Sequence, residues 1–216
     1  MGLRRFDIVL WSAWVVASMV GFAVIFVTEL RPLGVPFGYE PGQMGYELTL
    51  VLVGSAGIVL LQYVVFRVVL GNATLAAVAW VPIGVIVGVA TYLAEYVWQT
   101  SPTLGASGNI QGIPTLWQIA DSLILGLAQG VVLMKVFRLR SAIVLWPAAT
   151  LIAVATDYVA LNSGPILRAL DGLPLLAALL AGNAIAGGLY GAVTGAALVA
   201  LARRSARSAV PVTAPS

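Results

Sequence analysis

Mostly apolar runs with few charges alternate along the chain with breaks rich in glycine, proline or charge, and six of the runs are long. They cover 8–28, about 48–70, about 75–97, about 115–137, about 141–161 and about 173–202. Each is near the roughly 20 residues needed to cross about 30 Å of hydrocarbon at about 1.5 Å per residue. The pattern predicts an all-α, polytopic integral membrane protein with six transmembrane helices. The first run follows Arg4 and Arg5 like a secretory signal, but it exceeds the 7–15 residues of such a core and is read as a span. The breaks 31–46 and 98–114 hold Pro32, Pro36, Pro41, Pro102, Gly105 and Gly112, and predict irregular connections flanked by Trp98 and Trp117. A shorter connection is expected around 162–172. Gly71-Asn72 and Leu139-Arg140 mark tight turns, and 205–216 predicts a disordered tail.

The runs are also copies of one another. Trp14, Trp80 and Trp146 stand 66 residues apart, as do Glu29 and Glu95. Gln62, Gln129 and Thr194 are separated by 67 and 65, and Val89-Ala90-Thr91 recurs as Val154-Ala155-Thr156. Gly126-Leu127-Ala128-Gln129-Gly130 recurs as Gly191-Ala192-Val193-Thr194-Gly195, and Arg138 recurs as Arg203. The chain therefore reads as three tandem two-helix repeats, about 5–71, 72–138 and 139–204, in a single membrane domain of residues 1–204. Copies of an even-helix unit share one orientation, so the expected pseudo-threefold axis lies along the membrane normal.

Composition agrees with lipid as the solvent: 61% of the 216 residues are hydrophobic and 9% charged, against about 25% charged in soluble domains. With an even number of spans, Arg4, Arg5, Arg67, Lys135, Arg138, Arg140, Arg203, Arg204 and Arg207 fall on the side of the two chain ends, leaving only Arg31 and Arg168 opposite. Basic residues stay inside during insertion, so both termini are expected in the cytoplasm of a cell whose inner (plasma) membrane holds the chain. A net charge of +3 gives no reason to expect nucleic acid as a partner. No cysteine or histidine is present, so disulfides and His/Cys metal chemistry are excluded and no cofactor is expected.

Three groups of residues are candidates for more than solvation. Gln62, Gln129 and Thr194 form an expected polar ring, either hydrogen-bonding between helices or binding a small polar solute or lining a pore. Glu95, Asp121 and Asp157 form a candidate outer acidic cluster, because a carboxylate within a span costs about 2.5–3.5 kcal/mol at the bilayer centre and less near water. Capping or hydrogen bonding to Thr91, Tyr92, Thr156 or Tyr158 is the structural alternative. Gly126, Gly130, Gly187, Gly191 and Gly195 predict close helix packing, with a lesser version at Ala13, Ala17 and Gly21. Pro82 and Pro147 predict helix starts or mild kinks.

Catalytic patterns do not complete. Gly105-Ala106-Ser107-Gly108 has the look of an intramembrane serine protease motif, but no histidine can act as base. The one lysine, Lys135, does not sit in a phosphate-binding loop. No enzyme activity is expected.

Gln62-Tyr63-Val64-Val65-Phe66-Arg67, and again the stretch from Gly126 to Phe137, resembles a group of uncharacterised bacterial multi-pass proteins whose hairpins repeat Gly-x-x-Gln-Trp-x-x-Leu-Arg. Tyr63 and Gly130 stand where that pattern has Trp, and Thr194 where it has Gln. A weaker likeness, through size and the small residues Ala13 and Ala17, is to the substrate-binding S components of energy-coupling-factor vitamin transporters; it implies a partner membrane subunit. Two readings of function follow. One is a small-solute or ion translocator, or a substrate-binding transporter subunit. The other is a non-catalytic structural or accessory subunit packed, beside lipid, against a partner membrane protein or another copy of the chain.

Overall fold

The computed structural model describes residues 3–29, 44–71, 75–100, 116–161 and 163–208. These residues form α1 (Leu3–Glu29), α2 (Met44–Val68), α3 (Leu75–Val78), α4 (Trp80–Thr100), α5 (Leu116–Phe137), α6 (Ala142–Leu161), α7 (Gly164–Asp171) and α8 (Leu175–Ser208), with no strand among them. Five helices, α1, α2, α5, α6 and α8, are long and apolar enough to cross a membrane; α4 carries a shorter apolar stretch, Trp80–Ala94. The fold is thus all-helical and of membrane type. Its surface agrees: Val68, Val144 and Val159 are 76%, 73% and 69% exposed, an arrangement that lipid tolerates and water does not.

The six long helices touch in a closed circuit, α1 to α2, α4, α5, α6, α8 and back to α1, with the most extensive seam between α1 and α8. Glycines set the spacing there. A Cβ placed on Gly187 would lie 2.6 Å from the Ser18 carbonyl oxygen, and one on Gly191 2.9 Å from the Cα of Val15. Backbones this close gain dispersion contacts that larger side chains would prevent, and lipid offers no other drive between helices. The α5–α6 seam works likewise, with Gly126 set against the Cα of Pro147 and Gly130 against Ile143. On α4, Gly84 and Gly88 receive Val59 and Ser55 of α2. Gly21, on α1, meets Ile58 of α2.

Several elements differ from the sequence pattern. The expected helix over about 75–97 is two pieces, α3 and α4, with a turn at Ala79. Pro82 explains it, since its ring clashes with the carbonyl four residues back, at Val78, and it donates no N–H. Pro147 stays inside α6. The expected connection at 162–172 contains a helix, α7, with a proline in its first turn and an amphipathic sequence, GPILRALD. The last helix continues to Ser208, so 205–208 of the expected disordered tail is helical, and 209–216 lies outside the described residues. Of the expected connections at 31–46 and 98–114, residues 44–46 and 98–100 are helical, in α2 and α4, and the remainder lies outside the described residues. Arg138 and Arg203, which match in sequence, differ in backbone: Arg138 leaves α5 with φ of 56°, whereas Arg203 sits within α8. The counterpart of Arg138 in conformation is Gly71, at φ 60° after α2. Both take the left-handed conformation that commonly ends helices.

Candidate functional site

The three tryptophans spaced by 66 residues meet at the centre of the circuit. Trp14 of α1, Trp80 at the start of α4 and Trp146 of α6 are each 0% exposed, and their ring centroids stand 5.7–5.8 Å apart in edge-to-face pairs. Phe66 of α2 adds an edge against Trp80 at 5.1 Å and a tilted contact with Trp14 at 5.5 Å. This geometry places the positive ring edge over a neighbour's negative face and adds about 0.5–1.5 kcal/mol per pair beyond burial.

Each indole N–H then needs an acceptor, because an unpaired donor in this setting costs about 1–3 kcal/mol. Trp80 Nε1 donates to Gln62 Oε1 at 3.2 Å, Trp146 Nε1 to Gln129 Oε1 at 2.9 Å, and Trp14 Nε1 to Thr194 Oγ1 at 2.9 Å. The acceptors belong to α2, α5 and α8, each of them the helix beside the donor in the circuit. Gln62, Gln129 and Thr194 are 1%, 2% and 0% exposed, so the polar ring is brought together and its acceptor atoms are occupied by indoles. The Thr194 hydroxyl in turn donates a hydrogen bond to the Tyr190 carbonyl at 2.7 Å, and Gln62 Nε2 donates to Ser18 Oγ at 3.4 Å. One turn on from the ring, Phe66, Leu133 and Leu198 are all 0% exposed. The ring holds no titratable group and no free nucleophile. What it does chemically is join six helices by satisfied hydrogen bonds around a close-packed aromatic centre.

The acidic candidates are partly located. Thr91 of α4, one of the partners the sequence suggests for the acids, directs its hydroxyl to its own helix, at the Val87 and Gly88 carbonyls, 2.9 and 3.1 Å away. Thr156, another, likewise donates to its own helix at Ile152. Asp157 of α6 has one carboxylate oxygen, Oδ1, buried with no partner among the described residues. Tyr190, itself buried and tilted against Phe22 at 5.5 Å, lies within the electrostatic reach of both Asp157 and Asp121 of α5. The side chain of Glu95 lies outside the described residues, as do those of Trp98 and Trp117. Among the described residues no group of three acids is placed to hold a metal ion.

Four features are not singled out by sequence reasoning. The pairing of the Trp series with the Gln/Gln/Thr series is one, although both series share the same period. Gly84 and Gly88, lacking a counterpart in the recurring pentapeptide, are another. Ser18, seated beneath Gly187 and Gly191, is hidden in an apolar run. The fourth is the ion pair between Asp7 of α1 and Arg203 of α8, at 2.7 Å, which joins the two ends of the chain. Comparison with family models, curated proteins and solved structures finds no match.

Proposed function

We propose that this chain is a non-catalytic structural or accessory membrane subunit, built as three tandem hairpins closed about an axis along the membrane normal. One observation carries the reading: three indole-to-acceptor bonds, each joining equivalent positions of neighbouring repeats, surround a centre whose tryptophans are wholly buried. On this reading α3 and α4 together make the sixth span, and the basic residues near both chain ends face the cytoplasm. A filled centre leaves no room for a solute at that depth. The working surface is then the outside of the bundle, where α6 presents Val144, Ile152 and Val159 along one face.

The test is purification of the intact chain from its native membrane in mild detergent, with co-purifying proteins identified by mass spectrometry. A stoichiometric membrane-protein partner is expected. Recovery of the chain alone, together with saturable solute or cation uptake in proteoliposomes, overturns the reading.

A second reading, a translocator or substrate-binding transporter subunit, is favoured by the unpartnered Oδ1 of Asp157 near Asp121 and Tyr190. An intramembrane carboxylate with unused acceptor capacity suits a cation or a hydrogen-bonding solute. Uptake that is lost in Asp121→Asn and in Asp157→Asn supports this reading.

A further inference from the structure

In the half of the bundle away from Arg203, two acids inside the spans have no cation. Asp121 of α5 stands eight residues from Gln129, and Asp157 of α6 eleven from Trp146. At about 1.5 Å per residue they lie about 12 and 16 Å along their helices from the polar ring and its tryptophans. Both are partly exposed. Among the described residues the only ion pair is Asp7–Arg203, whereas carboxylates within a span are normally paired.

Tyr190 of α8 is an observation independent of the acids. It is 8% exposed, stands one turn before Thr194, and lies within the electrostatic reach of both carboxylates. A helical side chain leans towards the N-terminus of its helix, which for α8 is the acidic end. The Tyr190 hydroxyl makes no hydrogen bond among the described residues, yet it is not one of the polar atoms shut off from solvent. The same holds for Oδ2 of Asp157, whose Oδ1 alone is shut off. Open acceptors from three helices thus lie together above a floor closed by Trp14, Trp80 and Trp146, each 0% exposed.

We propose that Asp121, Asp157 and Tyr190 bind the protonated amine of a small organic solute entering from that end of the bundle. The proposal deepens the second reading above and rests on its premise that these acids form a site. A primary ammonium carries three N–H donors, one for each residue, and its charge offsets the carboxylates. A bare metal ion needs more oxygen: calcium takes about six to eight ligands, and no three acids gather for one among the described residues. A quaternary ammonium has the charge but no N–H to give. Phe22, tilted against Tyr190 at 5.5 Å, holds the tyrosine ring in place whether or not a solute is bound.

The test is isothermal titration of butylamine into the full chain in detergent, with tetramethylammonium as competitor. One butylamine is expected to bind saturably, and equimolar tetramethylammonium should not displace it. Tyr190→Phe, which keeps the ring against Phe22, should weaken binding roughly tenfold, the effect of losing one hydrogen bond to a charged group. Asp157→Asn should weaken it further. If one variant does not fold, the other decides. No saturable binding, displacement by tetramethylammonium, or an affinity unchanged in Tyr190→Phe or Asp157→Asn overturns the proposal. The second reading fails separately. Proteoliposomes that bind butylamine without taking it up remove transport and leave the site, whereas uptake of another solute, lost in Asp157→Asn, with no amine binding does the reverse.

Discussion

Trp14 and Thr194 stand 180 residues apart and share one hydrogen bond of 2.9 Å at the centre of the molecule. It joins the first long helix to the last. Thr194 is 0% exposed, so the indole N–H has no water to turn to if the hydroxyl is removed. Thr194→Val should therefore cost about 1–3 kcal/mol, and Thr194→Ser, which keeps the acceptor, markedly less. Thermal unfolding in detergent, followed by tryptophan fluorescence, separates the two; equal destabilisation contradicts the role given to the hydroxyl.

Trp80 separates hydrogen bonding from packing. Trp80→Phe keeps most of the ring edge facing Phe66 but strands Gln62 Oε1, at an expected cost of about 1–3 kcal/mol. Trp80→Ala also opens a cavity among Trp14, Trp146 and Phe66 and should cost about 3–5 kcal/mol. Denaturant titration of the two variants should rank them in that order.

Neighbouring glycines on α8 should respond differently to one methyl group. At Gly187 a Cβ would meet the Ser18 backbone carbonyl at 2.6 Å, which moves only if α1 moves. At Gly188 it would meet the flexible Met19 side chain at 3.2 Å; at Gly172, which follows α7 and serves as a control, it would meet nothing within 4 Å. Gly187→Ala is expected to lose about 1–3 kcal/mol through overpacking, while Gly188→Ala and Gly172→Ala stay within about 1 kcal/mol of the parent. Yield of monodisperse protein on size exclusion reads the same order.

The Asp7–Arg203 pair has a directional prediction of its own. Arg203→Gln leaves a carboxylate that is only 6% exposed without its cation. The loss should be measurable but smaller than for a fully buried pair, because the arginine is half exposed and its charge is screened. Adding Asp7→Asn should restore part of it, since two neutral amides leave no buried charge. A double variant less stable than Arg203→Gln contradicts this.

The helices were legible because each apolar run is long enough to declare itself. The boundary at Ala79 was not: whether Pro82 starts a helix or breaks one depends on whether the residues before it are helical, and residues 75–81 are apolar enough to suit either. α7 reads as a loop in the sequence because a short amphipathic stretch that begins at Gly164 and is followed by Gly172 resembles a turn. The polar ring was legible as a set from its spacing. Its use was not, because an acceptor's partner is fixed by helix rotation, which periodicity of 66 residues does not encode. Glycines of the recurring pentapeptide were visible through recurrence, whereas Gly84 and Gly88 show their role only against Val59 and Ser55. The Asp7–Arg203 pair spans 196 residues and needed the bundle to close before it could be seen.

The central claim is that one contact is made three times around one axis. Double-mutant cycles at Trp80/Gln62, Trp146/Gln129 and Trp14/Thr194, using Phe for Trp with Leu for Gln and Val for Thr, measure it directly. The first two pairs are 18 and 17 residues apart and would couple in any hairpin-like neighbourhood; only the third requires the circuit to close. Coupling of about 0.5–3 kcal/mol and of the same sign at all three pairs is predicted. Coupling at the two near pairs with none between Trp14 and Thr194 would contradict the account.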